Sequence, residues 1–380
     1  MRPYVLLSCA LSADGYLDDA SPERLILSGP ADLDRVDEVR AGCDAILVGA
    51  GTIRRDRPRL LIRDPARRAA RVARGLPEQP LRVTLTGSGD LDRTAPFFTH
   101  PSPYIIYDGP ALDLEVLLDD LGTRKVSRLL VEGGSTVLGE FLARDLANEL
   151  HLAVAPFFVA DPRAPRLNLP RLHLRQNRYV PQNGYVPQNR TVPDGPEHAD
   201  GATGPGRMTL VDVRRLDDLT VSRYLLGPGG AEQRFLRWAI ELSRLSPPSD
   251  SAFSVGAVIV GEDGQVLSTG YSREQEDKDH AEEVALRKLT LPHQQGHDPR
   301  LRRATIYSSL VPCGARASRP VTCVQHILDA GIPRVVYAWH EPPLFTAGDG
   351  AERLRAAGVA VTEIGSLSGL ARSVNAHLFR

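Results

Sequence analysis

Zinc-binding and proton-carrying side chains recur at short spacing in the last third of the chain. The stretch Asp279-His280-Ala281-Glu282-Glu283 offers an imidazole, and Val311-Pro312-Cys313, followed ten residues later by Cys323, offers two thiolates. Three such ligands leave the fourth tetrahedral position of Zn²⁺ open, as a catalytic rather than a scaffolding site requires. Glu282 stands two residues past His280, where it can take a proton from water and hand it to a leaving amine without binding metal itself. H-x-E followed by P-C and a second cysteine is the signature of zinc nucleobase deaminases, in which the cysteines lie three apart. Here they lie ten apart. No single tight turn presents both thiolates over that span. A loop through Gly314-Ala315-Arg316-Ala317-Ser318-Arg319-Pro320 must leave Cys313, and a helix must bring Cys323 back.

A second constellation lies in the first half of the chain. Ala45-Ile46-Leu47-Val48 reads as a buried parallel strand and runs directly into Gly49-Ala50-Gly51-Thr52. Leu129-Leu130-Val131 repeats the arrangement, with Glu132-Gly133-Gly134-Ser135-Thr136 opening a helix that runs to about Arg144. Glycines at such turns let backbone N–H groups approach a phosphate or a nucleotide sugar, and two turns at carboxyl ends of parallel strands face one crevice. This marks a cofactor site.

The elements that must position these residues follow from periodicity. Tyr4–Ser8, 81–86, 104–107 and 150–155 read as strands, 13–17 as a turn into a further strand, and 31–41 as an amphipathic helix with Leu33, Val36 and Val39 on its apolar face. Residues 208–213 and 221–226 close the first domain, and Gly227-Pro228-Gly229-Gly230 is the joint. Beyond it, 232–245 reads as a helix, and 255–260 and 266–270 form a hairpin around Gly264. A helix from His280 to Leu289 follows, then a strand at 304–308, a helix at 321–330, a strand at 334–338, and a closing helix, strand and helix from 351 onward. The spacing predicts domains at 1–226 and 233–380 with a linker at 227–232. Residues 176–207, which contain Val-Pro-Gln-Asn at Val180 and again at Val186, carry too little apolar surface to order themselves and are expected to form a disordered insertion. His293 and His297 are separated by a glycine and flanked by a proline, a poor arrangement for ligating metal.

A nucleic-acid base deaminase with an appended nucleotide-binding domain is an alternative that needs a basic groove with stacking aromatics. A formal charge of −1 and 6% aromatic residues over 380 residues weigh against it. The chain's partner is expected to be a small molecule. No run approaches the roughly 18 apolar residues of a membrane span. Cys9 and Cys43 sit among apolar neighbours as reduced thiols, and a cytoplasmic enzyme is expected.

The two halves resemble the bifunctional riboflavin-biosynthesis pyrimidine deaminase/reductases, in the reverse of their usual bacterial order. The reductase resemblance rests on Leu11-Ser12-Ala13-Asp14-Gly15, Ile46 to Thr52, Asp56-Arg57-Pro58-Arg59-Leu60 and Val131-Glu132-Gly133-Gly134. The deaminase resemblance, closest to the fungal type, rests on Ala252 to Val258, Gly270 to Glu274 and the Cys313–Cys323 span, with Arg316 and Ser318 kept and Gly314 where serine is usual. The resemblance implies an α/β dihydrofolate-reductase-like domain followed by a cytidine-deaminase-like three-layer α/β/α domain. It implies Zn²⁺ on His280, Cys313 and Cys323 with Glu282 as proton shuttle. It implies NADPH against Gly49, Ala50, Gly51, Thr52, Gly133, Gly134, Ser135 and Thr136. Substrate contacts fall to Asp56, Arg63, Glu132, Arg316 and Ser318. The implied substrate is 2,5-diamino-6-ribosylamino-4(3H)-pyrimidinone 5′-phosphate, deaminated on the ring and reduced from ribosyl to ribityl. The alternative is a related pyrimidine of a specialised pathway. Such folds commonly pair, so a homodimer is expected.

Overall fold

The computed structural model describes residues 2–109 apart from 22 and 24, and residues 112–167, 208–227, 230–291, 296–316, 318–340 and 349–379. The expected insertion at 176–207, His293, and Pro228 and Gly229 of the joint lie outside the described residues.

In the first half β1 (Tyr4–Ser12), α1 (Pro30–Ala41), β2 (Ala45–Gly49), α2 (Ala50–Asp56), α3 (Pro65–Ala73), β3 (Leu81–Thr86), α4 (Pro96–Thr99) and β4 (Tyr104–Asp108) follow one another. Then come α5 (Leu114–Thr123), β5 (Arg128–Val131), α6 (Ser135–Ala143), β6 (Glu149–Ala155), β7 (Thr209–Leu216) and β8 (Leu219–Leu225). One eight-stranded sheet results, in the order β4-β3-β2-β5-β1-β6-β8-β7. The first six strands of that order are parallel, and β8 and β7 add antiparallel at the β6 edge. Strands inside a parallel sheet carry helices on both faces, which is why every residue of β2 is buried. The order puts β2 beside β5, so the two glycine turns that follow these strands emerge side by side.

Two local expectations are corrected. Residues 13–17 make no further strand: the chain turns after Ser12, and Tyr16 forms only a single bridge to Arg166. The Asp14 carboxylate holds that turn by accepting from the Ser12 hydroxyl and from the backbone N–H groups of Val159 and Ala160. In α1 the buried side chains are Asp32 and Asp37, while Leu33 is 40% exposed. Of the expected apolar stripe, Leu33 and Val36 line a cleft, and Val39 packs against the core.

The second half begins with α7 (Ala231–Ser243) and continues through β9 (Gly256–Val260), β10 (Val266–Tyr271), α8 (Ala281–Arg287), the short ladder β11 (Thr290–Leu291) and β12 (Gly296–His297), and β13 (Thr305–Ser308). It ends with α9 (Cys323–Asp329), β14 (Arg334–Tyr337), α10 (Gly350–Ala356), β15 (Ala360–Glu363) and α11 (Ser368–Val374). The sheet order is β10-β9-β13-β14-β15, with β13, β14 and β15 parallel. Phe235, Trp238 and Ala239 of α7 pack with Leu367 and Ala371 on one face of this sheet. Ala281 and Ala285 of α8, Val324 and Ile327 of α9 and Leu354 of α10 pack on the other. The result is a three-layer α/β/α sandwich.

The sheets meet through α7, which packs against β8 and the amino end of β5. Arg128 at the start of β5 lies 3.8 Å from Glu241 of α7, and the Arg223 guanidinium stacks 4.4 Å from the Trp238 ring centroid. At the centre is Glu149, wholly buried, facing Arg223, Arg128 and the His151 ring nitrogen. Burial opposes its ionisation, but the positive charge of Arg223 and the bonding and charge of His151 outweigh this and hold the carboxyl well below the usual range. A carboxylate depressed in the folded state contributes stability that is present above its unfolded value of about 4.3 and is lost as pH falls below it. Glu149→Gln should therefore lower stability at neutral pH by about 3–5 kcal/mol, since it leaves buried arginines uncompensated, and should flatten the loss of stability on acidification. Urea denaturation at pH 7 and pH 4 checks both; an unchanged acid slope would remove Glu149 from the account.

Candidate active sites

The second-half site is built where α8 starts beneath β10. A Cβ on Gly270 would lie 2.3 Å from the Ala281 carbonyl oxygen, so only glycine lets α8 approach this closely. That approach sets His280 at the N-cap of α8 and Glu282 in its first turn, both facing the end of β13. Cys313 follows β13, and Cys323 opens α9, where Thr322 caps the helix by accepting from the Gln325 N–H. The His280 Nδ1 lies 3.5 Å from the Cys313 Sγ and 3.3 Å from the Cys323 Sγ, and the three ligand atoms fall within 4.8 Å of one another. Tetrahedral ligands on bonds of about 2.0–2.3 Å lie roughly 3.5–3.8 Å apart, so one imidazole and two thiolates at these separations fit zinc. Hydrogen bonding with Cys323, aided by the His280 ring, holds the Cys313 thiol well below the usual range.

Glu282 is 2% exposed. Its Oε1 accepts from the Ser308 hydroxyl at 2.6 Å, and its Oε2 lies 3.3 Å from the Cys323 Sγ. Burial raises its pKa, partly offset by the Ser308 bond. A carboxyl raised in this way exchanges protons more readily near neutral pH than an exposed one. Ser308 went unnoticed in the sequence, yet it left a signal. It occupies a fully buried position in β13, two residues after Ile306, where the strand's period calls for an apolar side chain.

Arg316 and Ser318 belong to the loop between the cysteines. The Arg316 guanidinium is only 2% exposed and is bonded to Glu283, to the Lys278 carbonyl and to Ser318 Oγ. Gly314, where the resemblance leads one to expect serine, has a packing reason: a Cβ there would lie 1.9 Å from Asp349 Oδ1 and 3.1 Å from the Gly350 nitrogen. The start of α10 presses on this loop.

The first-half site is a cleft of about 1070 Å³ at the carboxyl ends of the parallel strands. It lies at the upper end of the roughly 300–1,000 Å³ of small-molecule sites, room for a dinucleotide and a second ligand together. Gly49, Ala50, Gly51, Thr52 and Asp56 line one wall, and Glu132, Gly133, Gly134, Ser135 and Thr136 line another. Gly133 and Gly134 have φ of 107° and 82°, the left-handed region that other residues adopt with strain, and a Cβ on Gly49 would meet Val137 at 2.9 Å. Glu132 accepts both nitrogens of Arg40 at 2.6 Å in a bidentate pair at the cleft. Arg40, like Asp32, Arg35 and Val36, comes from α1, whose cleft-facing role the sequence reading missed. Arg63 is not brought to this cleft; it bonds to the Leu33 carbonyl and faces Asp37.

The family described as RibD C-terminal domain matches residues 3–178, and the family described as cytidine and deoxycytidylate deaminase zinc-binding region matches residues 230–339. A 2,5-diamino-6-ribosylamino-4(3H)-pyrimidinone 5′-phosphate reductase of Archaeoglobus fulgidus is 31% identical over 187 residues, covering 43% of this chain and 85% of the relative. A diaminohydroxyphosphoribosylamino-pyrimidine deaminase of Schizosaccharomyces pombe is 36% identical over 157 residues, covering 41% of this chain but 38% of the relative. The chain thus spans well under half the length of the yeast relative. Among solved structures, a deaminase/reductase of Thermotoga maritima aligns at TM-score 0.43 and 22% identity, covering 59% of this chain and 57% of that one.

Because α8 can approach β10 only over a glycine, Gly270→Ala should push the His280 helix outward. The expected cost is about 1–3 kcal/mol of stability together with lowered zinc content. Chemical denaturation and elemental analysis read the two effects. A variant with the wild-type midpoint and full zinc would show that this contact does not position the site.

Proposed function

The chain belongs to the RibD C-terminal domain family of pyrimidine reductases, and from that premise we propose a bifunctional enzyme of riboflavin-type pyrimidine metabolism. Residues 1–226 reduce and residues 233–380 deaminate, joined through 227–232. The substrate on this reading is 2,5-diamino-6-ribosylamino-4(3H)-pyrimidinone 5′-phosphate. The observation that carries the reading is Glu282, a buried carboxylate set against three zinc-type ligands, because a purely structural metal site has no use for a proton carrier.

His280, Cys313 and Cys323 would hold zinc, which would supply the Lewis acidity that makes water a nucleophile at neutral pH. Ser308 holds Oε1 of Glu282, so Oε2, which faces the ligand cluster, is the oxygen that receives the proton from water. As water adds to the ring carbon and the C–N bond breaks, the same carboxyl returns that proton to the departing nitrogen, which leaves as ammonia.

In the first cleft, bound NADPH would supply the hydride, and water the accompanying proton, for conversion of the ribosyl group to the ribityl chain. The glycine turns at 49–51 and 133–134 give its phosphates and sugars close access to backbone, with Thr52, Ser135 and Thr136 as hydroxyl partners. Arg40 holds the Glu132 carboxylate in one orientation, at the place where a substrate hydroxyl would be bound. Asp56 faces the same cavity. The reading takes a homodimer in the cytoplasm as the working form. In support of a reducing compartment, all four cysteines are free. Among the described residues no helix is long and apolar enough to cross a membrane.

Incubation with the diaminopyrimidinone ribotide, with and without NADPH, tests the whole reading through ammonia release and absorbance at 340 nm. Absence of both signals from zinc-loaded protein would exclude this substrate. Glu282→Gln should keep zinc and lose ammonia release by about 10²- to 10⁴-fold while NADPH oxidation on an already deaminated substrate continues. Glu132→Ala should do the converse, lowering kcat/KM for reduction roughly 10- to 100-fold, as expected for loss of a charged hydrogen bond, with ammonia release intact. A variant that spared its own reaction would remove that residue from its role.

A further inference from the structure

A span of ten residues between two thiolate ligands presents a problem that a short Cys-x-x-Cys turn does not have. The short turn fixes both sulfurs through its own backbone, whereas the longer loop must lose considerable chain entropy before Cys313 and Cys323 meet at one ion. At its two ends the Cys323 N–H points at the Cys313 Sγ from 3.4 Å, and the Val324 N–H donates to the Cys313 carbonyl. Those contacts join the ends to each other. They do not tie the loop to His280, which sits on a different element.

Two arginines inside the loop make that connection. Arg316 donates to Glu283 Oε2 at 3.0 Å. Arg319 donates through one terminal nitrogen to Glu283 Oε1 at 2.5 Å and through the other to Glu276 at 2.5 Å and Asp279 at 3.2 Å. Asp279 immediately precedes His280, and Glu283 lies three residues after it, so a single guanidinium spans both sides of the histidine ligand. Of the receiving carboxylates, Asp279 is set in place independently of the loop. Asp279 has a fully buried side chain, bonds both terminal nitrogens of Arg287 and accepts from the Gln275 and Glu276 N–H groups. Burial opposes the charge on Glu283, but Arg316 and Arg319 outweigh it and keep its carboxyl below the usual range.

We propose that Arg319 is a positioning residue for the metal site, bridging Glu276 and Asp279 on one side of His280 to Glu283 on the other and so fixing the Cys313–Cys323 loop against the imidazole ligand. The role rests on the zinc reading above but needs neither substrate nor turnover. It also depends on the forked shape of the guanidinium, since a lysine ammonium cannot reach carboxylates on both sides with fixed geometry.

The experiment is zinc transfer from the full chain to the chromophoric chelator 4-(2-pyridylazo)resorcinol, followed for wild type, Arg319→Ala, Arg319→Lys and, as control, Arg303→Ala at an exposed pair with Glu262. Arg319→Ala should weaken zinc binding about 10- to 100-fold, the size seen when a ligand's supporting group is removed, and Arg319→Lys should recover only part of it. Tryptophan fluorescence of the same preparations, which arises from Trp238 and Trp339, reports that this half of the chain is folded. Should Arg319→Ala compromise folding, Glu276→Gln offers a milder probe. It should weaken zinc roughly two- to fivefold by itself, and wild-type affinity in it would overturn the bridge. Wild-type affinity in Arg319→Ala, or full recovery by lysine, would overturn the bridge. Failure of the wild-type chain itself to retain zinc would instead sink the deaminase reading, so the two failures are distinguishable.

Discussion

Everything in the second half depends on how closely α8 lies against β10. With the Ala281 carbonyl 2.3 Å from where a side chain on Gly270 would begin, the start of α8 is pressed onto the sheet. This leaves His280 and Glu282 no freedom to face elsewhere. The same contact sets Glu282 within hydrogen-bonding reach of Ser308 on β13, and β13 in turn delivers Cys313. A second close approach, of Gly256 to the Ala239 carbonyl, fastens α7 to the opposite face. Glycines inside strands ordinarily weaken them, and here they are retained because helix and strand backbones come nearly into contact.

The first half solves a different problem with the same means. A dinucleotide needs bare backbone at the mouth of a cleft, and the adjacency of β2 and β5 supplies two glycine turns at one place. The second half docks away from those turns, where Arg128 at the start of β5 faces Glu241 of α7 and Arg223 of β8 stacks on Trp238. The cleft at the carboxyl ends is thereby left open, and each site keeps its own access. The buried ionic cluster at the joint favours one docking geometry, because any other would strand charges that are now paired.

Sequence and structure agree most where a residue's role is local. Runs such as Ala45–Val48 had to be buried strands, the hairpin around Gly264 follows from its turn, and the histidine, glutamate and cysteines carry their chemistry in type and spacing. They part where a role depends on what lies across space. Nothing in α1 says that its Leu33 and Val36 line a cleft while Asp32 and Asp37 are buried, because helical period reports that two faces differ and not which one meets the core. Arg40 and Glu132, 92 residues apart, pair only once the sheet is assembled. Arg63 could be carried to the cleft only by resemblance, and the fold sends it to Asp37 and the Leu33 carbonyl instead.

The long cysteine span illustrates how electrostatics and chain entropy act together. With a metal bound, two thiolates beside the Glu282 carboxyl would gather negative charge in a place with little water, and Asp279 and Glu283 add more within the same few residues. Zinc held there, as proposed above, would neutralise part of this, and Arg287, Arg316 and Arg319 neutralise much of the rest. Because two of those arginines sit on the loop itself, the ion pairs that balance the charge also order the loop. A loop without them would have to find its conformation from backbone contacts alone while repelling the carboxylates it lies on. Nor does a short Cys-x-x-Cys turn have, between its ligands, the positions three and six residues past the first cysteine that Arg316 and Arg319 occupy here. The ten-residue spacing and the arginines are therefore parts of one solution: the length makes an anchor necessary and also provides the positions from which the anchor can act.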